Sequence, residues 1–337
     1  MFSFDSVIDL PMIWSGIIGL AVLLYIMLDG FDLGVGILFP FAPSHSCQNK
    51  MMNSIAPFWD GNETWLVLGG GGLFAAFPLA YAVIMPAMYV PVILMLLCLI
   101  FRGVAFEFRF KADKSQMLWN YAFHFGSLGA AFCQGLILGG LVQGVTIEGR
   151  SFAGGAFDWL TGFSIMCGIA VIFGYGLLGA TWLNMKTDGK TQKWARDAAM
   201  YMSFFVVLFL AVVSLWVPFL DTGLYERWFG DLFGFLLPIP LLTALFFIGL
   251  FYTLRKKYDG WPFVFVELIF VMAYAGLVAS LYPYAVPYAL SFEQTAAAPA
   301  SLSLMLVGVV IMLPIILGYT LYCYRLFGGK THDEPMY

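Results

Sequence analysis

Thr64–Phe101 reads TWLVLGGGGLFAAFPLAYAVIMPAMYVPVILMLLCLIF, a run of 38 residues without one charged side chain. As a single helix it would be about 57 Å long, nearly twice the roughly 30 Å of a bilayer's hydrocarbon core. Pro78 stands near its middle, where a chain crossing a membrane twice would reverse. The run therefore divides into two membrane spans, 55–77 and 79–101.

Working outward, further charge-free windows repeat the pattern at Leu10–Leu28, Ser115–Ile147, Trp159–Met185, Ala198–Leu220, Leu232–Leu254 and Gln294–Tyr324. Trp261–Tyr282 adds a span with one acid, Glu267. These windows predict an all-α polytopic membrane protein of nine transmembrane helices, at 10–39, 55–77, 79–101, 118–144, 159–183, 199–220, 232–254, 261–282 and 300–326. The composition agrees: 61% of the 337 residues are hydrophobic and only 11% charged, against roughly 25% charged in a soluble domain. No aqueous domain fits beside nine spans, so 1–337 reads as a single transmembrane helical domain. With a net charge of −4 and scattered basic residues, nucleic acid is excluded as a partner and the lipid bilayer is required.

Nine spans put the termini on opposite sides of the membrane. With the N-terminus outside, 14 of the 16 Lys and Arg residues fall on the inner side and only Arg150 and Arg227 outside. An error of one helix would reverse every later loop and destroy this asymmetry, so the positive-inside rule sets the N-terminus periplasmic and the C-terminus cytoplasmic. Met1–Leu10 carries Asp5 and Asp9 but no base, unlike a cleaved secretory signal. The five cysteines form no C-x-x-C pair, which leaves no disulfide frame and no zinc or covalent-haem motif.

Asp29, Asp32, Asp60, Glu63 and Glu267 fall within spans. An acid at mid-bilayer costs about 3 kcal/mol on insertion scales, so such residues face protein or water and mark ion or proton routes. Asp29 and Asp32 share one helix face, as do Asp60 and Glu63. A short inner loop, Pro40 to Asn53, joins the first two spans, so the four carboxyls should converge in their cytoplasmic halves, with Arg102 as counter-ion. Crowded carboxyls in low dielectric resist full ionisation, which suits a proton relay. The competing reading is that these acids cap helices broken at Gly30, Gly34, Gly36 and Gly61. Glu267 could extend the set or snorkel to the interface.

His45, His124 and His332 are the only histidines, and His124 alone lies within a span, too few imidazoles for several haems. A lone helical histidine reads first as a hydrogen-bonded core residue. Gly69–Gly72 lacks a following Lys-Ser/Thr and is no phosphate loop. Gly135–Gly139 and Gly140–Gly144 are small-xxx-small patterns suited to tight helix contact.

LDGFDLGVG at Leu28–Gly36 and NSIAPFWDGNETW at Asn53–Trp65 resemble subunit II of cytochrome bd-type quinol oxidases. FRGVAFEFR at Phe101–Arg109, LVQGV at Leu141–Val145 and PIILGYTLYCYRLFG at Pro314–Gly328 extend the resemblance almost end to end. The short connection between the sixth and seventh spans looks closer to the family's cyanide-insensitive branch. The resemblance implies a respiratory terminal oxidase in a bacterial inner membrane, with ubiquinol or menaquinol as substrate, dioxygen reduced to water and protons drawn from the cytoplasm. It also implies that haem b558, haem b595 and haem d reside in a partner subunit I, that a small single-span accessory subunit can join the heterodimer, and that some members hold a structural quinone in this subunit. Residue by residue, it assigns the matching Asp29 and Asp60 to a proton pathway and Trp65 to the mouth of a hydrophobic oxygen route. Asp32, Glu63 and Arg102 join the pathway by their placement. Two other classes compete: a proton-coupled secondary transporter, which would show interrupted helices in two repeats, and a passive assembly scaffold.

Overall fold

The computed structural model describes residues 9–112 and 114–331; Asp5 and His332 lie outside them. The first helix, α1 (Leu10–Leu38), starts where the Asp9 carboxylate accepts the Met12 amide at 2.9 Å, an N-cap that satisfies one of the free donors of the first turn. A 3-10 turn at Phe39–Phe41 leads to α2 (His45–Ile55), capped by Ser44. There follow α3 (Trp59–Ala76), α4 (Pro78–Ala87), α5 (Tyr89–Arg109) and α6 (Gln116–Gln143). A hairpin of β1 (Ile147–Glu148) and β2 (Ser151–Phe152) precedes α7 (Gly162–Lys186), which opens on a Thr161–Ser164 capping box. Next come α8 (Gly189–Trp216), α9 (Thr222–Phe229), α10 (Phe233–Leu236), α11 (Pro238–Arg255) and α12 (Trp261–Leu281). A second hairpin, β3 (Tyr284–Val286) with β4 (Leu290–Ser291), and α13 (Phe292–Thr295) lead to the last helix, α14 (Pro299–Leu326).

Among the described residues, eight helical stretches are long and apolar enough to cross a membrane: α1, α5, α6, α7, α8, α10 with α11, α12 and α14. The chain is thus an all-α polytopic membrane protein. The 18-residue α3 stands apart, because Asp60, Asn62 and Glu63 crowd its first turns. The expected span 79–101 is corrected. Residues 78–87 form the separate α4, and α5 runs on to Arg109. Pro91 cannot donate to the Ala87 carbonyl, so the helix breaks at Met88. Arg102 therefore lies about 10 Å from the C-terminal end of α5, seven residues before Arg109, rather than at a helix terminus. Similarly, α8 begins ten residues before 199 and carries Lys190, Lys193 and Arg196 in its first turns. Charge-free windows find the apolar middle of a helix and miss its polar ends.

The C-terminal half of α1 is the centre of the molecule, and every residue from Asp29 to Phe39 is buried. It packs against α3, α6 and α7, while α5, α6, α7 and α8 pack in sequence beside it and α11 pairs with α12. A Cβ at Gly34 would collide with the Tyr175 carbonyl, and one at Gly179 would strike the Gly34 backbone. Both glycines are needed for α1 and α7 to touch backbone to backbone. Gly135 and Gly139 press on α7 in the same way, at Cys167 and Ser164, as the small-xxx-small spacing predicts. Gly144 instead ends α6 with a positive φ of 84°. In α14 only Leu302 is buried. Trp14 Nε1 donates to the Leu302 carbonyl near the start of that helix, contacts around Tyr324 hold its end, and Leu313 and Leu317 pack against α1 and α3 between them.

Candidate functional site

Three helices bring ionisable groups to one buried point. Arg102 Nη1 on α5 donates to Asp29 Oδ1 on α1 at 2.8 Å and to Glu63 Oε1 on α3 at 2.7 Å. Arg102 Nη2 lies 3.9 Å from Asp32 Oδ2, and Asn62 Nδ2 donates to that same oxygen at 2.7 Å and to the Leu28 carbonyl at 3.2 Å. Asp29, Asp32 and Arg102 are 0% exposed. Only the Glu63 side chain, 25% exposed, reaches the surface of the chain. Gly126 on α6 lets the Arg102 backbone pass, since a Cβ there would lie 2.9 Å from the Arg102 nitrogen. Three carboxyls thus face one guanidinium. Asp29 Oδ2, Asp32 Oδ1, Arg102 Nε and Arg102 Nη2 have no partner of good hydrogen-bond geometry, although the Tyr25 hydroxyl lies close enough to Asp29 to interact with its carboxyl.

Asp60 is corrected in place. The first turn of α3 begins only at Trp59, because α2 ends at Ile55 and a turn separates the two helices. Asp60 therefore sits at the helix N-terminus, where its charge suits the helix dipole, and it is exposed. It neighbours Glu63 electrostatically but stays outside the hydrogen-bonded group. Trp65 is 1% exposed and packs with Ala21 and Tyr25 of α1 and with Leu313 and Leu317 of α14; its Nε1 has no partner. Glu267 lies on α12, beyond the Arg102 contacts, with Oε2 shut from solvent and unpartnered.

Residues overlooked in the sequence complete the setting. Tyr324 Oη donates to Asn62 Oδ1 at 3.1 Å while its ring stacks on Phe58 at 4.4 Å. One turn outward from Asp29, the Tyr25 hydroxyl accepts from Gln134 Nε2 at 2.7 Å, and Tyr175 Oη donates to Gln134 Oε1 at 2.7 Å. Asn62 lies inside the WDGNETW motif and could have been read from it. Tyr324 likewise lies inside the PIILGYTLYCYRLFG stretch, whereas Tyr25 and Gln134 are uncharged residues of apolar helices and gave no such signal.

A second charged region ties several helix ends together. Lys330 Nζ meets Asp259 Oδ2 at 2.8 Å, Gln192 Nε2 donates to Asp259 Oδ1 at 2.7 Å, and Arg196 lies 3.8 Å away. Slight burial raises the Asp259 carboxyl, but the Lys330 hydrogen bond and charge, with Gln192 and Arg196, outweigh it and hold the group below the usual carboxylate range. Lys186 Nζ donates to the Phe327 carbonyl at 2.6 Å, and Lys50 pairs with Asp188 at 2.8 Å.

Along α3, Asp60, Thr64, Val67, Gly70, Gly71 and Phe74 form an exposed stripe, and Gly70 and Gly71 have open space beside them. Gly69 and Gly72 instead admit Val22 and Ile18 of α1. On α14 the exposed face is Leu304, Val307, Val310, Ile311 and Ile315, the large aliphatic surface that lipid tails favour. The α3 stripe is small and partly polar, more like a helix–helix contact. His124 is held by its Nδ1, which pairs with the Gly36 carbonyl at 3.1 Å, and its ring lies beside Phe41 and Phe125. No group of three metal-ligating His, Cys, Asp or Glu side chains occurs among the described residues.

Residues 10–327 match the family described as cytochrome bd terminal oxidase subunit II. The chain is similar to cytochrome bd ubiquinol oxidase subunit 2 of Bacillus subtilis (strain 168), 30% identical over 96% of this chain and 98% of the relative. It is also similar to cytochrome bd-I ubiquinol oxidase subunit 2 of Escherichia coli (strain K12), 28% identical over 96% of each. In fold it matches a chain from the structure of bd oxidase from Geobacillus thermodenitrificans, with a TM-score of 0.78 over 95% of this chain and 99% of the other at 17% identity.

Proposed function

Because the chain belongs to the cytochrome bd terminal oxidase subunit II family, we propose that it is the subunit that carries cytoplasmic protons to haems held by a partner subunit I, where quinol electrons reduce dioxygen to water. Family membership displaces the transporter reading. The observation that carries the proposal is the shared Arg102 guanidinium, whose Nη1 bridges Asp29 and Glu63 beside a fully buried Asp32. If all three acids ionised, two negative charges would stand uncompensated out of water, which low dielectric penalises by several kcal/mol per ion. A proton shared among the carboxyls relieves that charge, and a shared proton can be passed on.

Asp60 supplies the entrance in this reading. It sits exposed at the start of α3, next to Glu63, which is the one member of the cluster open to the surface. Protons step from Asp60 to Glu63, then to Asp29 and Asp32 around a guanidinium that stays charged and sets the order of ionisation. The α3 stripe is the surface that meets subunit I, which would put the Glu63 end of the route at the subunit boundary. Trp65 walls the apolar side of α1 and α3 and would border an oxygen path there. The scarcity of histidines, with His124 alone inside a span, supports assigning the haems to the partner. We take α3 as the ninth crossing and the whole chain as one transmembrane domain in the bacterial inner membrane, N-terminus periplasmic and C-terminus cytoplasmic, because 14 of the 16 basic residues then lie inside.

The test uses the purified complex. Reduced-minus-oxidised spectra should show haem bands that stay with the partner when the subunits are separated. D29N and D32N complexes should keep those bands while consuming oxygen more slowly with quinol. Stoichiometric haem on this chain alone, or wild-type turnover in both variants, would refute the assignment.

A further inference from the structure

Lys186 closes α7 and is only 7% exposed. Its ammonium donates to the Phe327 carbonyl, which leaves two of its three N–H groups. The rings of Phe58 and Trp182, 5.7 and 5.5 Å away, soften its burial but bring no negative charge. Among the described residues no acid pairs with it: Asp188 meets Lys50 and Asp259 meets Lys330, each at 2.8 Å. A buried ammonium without a counter-charge is costly. Beside it lies a cavity of about 290 Å³, between the end of α7, the turn before α3 and the residues that follow α14. Lys330 and Thr331 line the same cavity with Phe58 and Leu326, and no acid is among its lining residues. Leu326 is also the last member of an exposed face of α14 formed with Leu304, Val307, Ile311, Ile315 and Tyr322, spaced by three, four or seven residues. A long apolar face thus leads to a cationic cavity.

We infer that this cavity binds a phosphate group, the headgroup phosphate of an anionic phospholipid whose tails lie along α14. Two ammonium groups on one cavity supply the charge, lysine being a point-charge partner for phosphate oxygens, and the Thr331 hydroxyl adds a donor. Lys330 shares its charge with Asp259, so Lys186 is the stronger hold. Basic pockets between membrane helices take acidic lipid headgroups. Inorganic phosphate offers the same oxygens, but only a lipid also uses the apolar face of α14. The Thr331 amide donates to the Lys186 carbonyl at 2.7 Å, and Phe58 stacks on Tyr324 of α14. A phosphate held there therefore braces the end of α7, the end of α14 and the start of α3 against one another. The inference does not rest on reading the Arg102 cluster as a proton conduit.

The experiment is thermal unfolding of the assembled oxidase, purified in detergent and stripped of lipid, as dioleoylphosphatidylglycerol is added back to the micelles. It compares the wild type with K186Q, K330Q and K190Q, the last an exposed lysine of α8 outside the cavity. The wild type should gain stability and saturate, as a ligand of the folded state requires. The lipid concentration giving half the gain should rise about tenfold in K186Q and about threefold in K330Q, and stay unchanged in K190Q. Equal half-gain concentrations in wild type and K186Q overturn the site. If millimolar inorganic phosphate gives the same Lys186-dependent gain and the lipid gives none, the cavity takes a free phosphate and the lipid source is wrong. Should K186Q fail to assemble, K330Q against K190Q decides: identical lipid responses overturn the inference. A wild type that responds to neither probe also overturns it, and an unfolding temperature lowered in the double variant D333N and E334Q would then identify the chain's own carboxylates as the occupant.

Discussion

The chain holds two charged networks, and they are built to opposite rules. Around Asp259, one acid is met by Lys330, Arg196 and Gln192, the Asp259 side chain is half exposed, and the contacts join the loop before α12 to α8 and the residues after α14. Around Arg102, three acids share one base, all but Glu63 are fully buried, and four polar atoms lack partners. The first network has more donors than its acid needs and touches water, so it clasps. The second has more acid than base and is closed from the surface except at Glu63, so its members cannot all stay ionised without cost. On the proposed reading, the same residue types give a fastener in one environment and a proton-handling group in the other.

The largest effect should come from breaking the interior network at its base. R102Q strands Asp29 without a partner in a dry site, so it should lower stability by about 3–5 kcal/mol and reduce the yield of assembled, haem-containing complex. Thermal unfolding of the purified complex measures this. A shift within experimental scatter would mean the site is wetter than its 0% exposure indicates. Next, D29N and D32N keep side-chain size and hydrogen bonding but cannot release a proton, so turnover per haem should drop about tenfold or more with haem content near normal. A scaffold would lose assembly before it lost turnover.

D60N should fall between the networks. Its side chain is exposed, so water can replace it, and turnover should fall only about twofold, most visibly when quinol is saturating. The smallest effect belongs to the clasp. D259N or K330Q should cost no more than about 1 kcal/mol, less at high salt. Because Asp259 titrates below its ordinary range in the folded chain, its contribution is present above the unfolded carboxylate pKa and is lost as pH falls through the folded value. Unfolding curves of wild type and D259N should therefore converge on the acid side. Turnover at neutral pH should stay at the wild-type level.

These regions also differ in how legible they were. The Arg102 cluster was readable because acids inside apolar windows are costly and conspicuous, and Arg102 follows the run ending at Phe101. Its depth was misjudged for the same reason: a window ends at the first charge, and Arg102 is a charge that the fold buries. Asp60 was placed too deep because the turn between Ile55 and Trp59 is marked only by Pro57 within an otherwise apolar run. The Asp259 clasp was invisible, since pairing loops that are far apart in sequence needs the packed helices first. Side orientation rests on charge counting and has its own check. K190C should react with an impermeant thiol reagent only from the cytoplasm and R150C only from the periplasm, both positions being exposed. Cys47 is too buried to serve.

The most direct measurement is an oxygen pulse delivered to the reduced oxidase in proteoliposomes, with a pH indicator on the cytoplasmic face and haem content matched between samples. Wild-type enzyme should take up protons there in step with oxygen reduction, and D29N should show uptake slowed in proportion to its turnover. Proton uptake by D29N at the wild-type rate and extent would contradict the account and leave the buried acids a structural role alone.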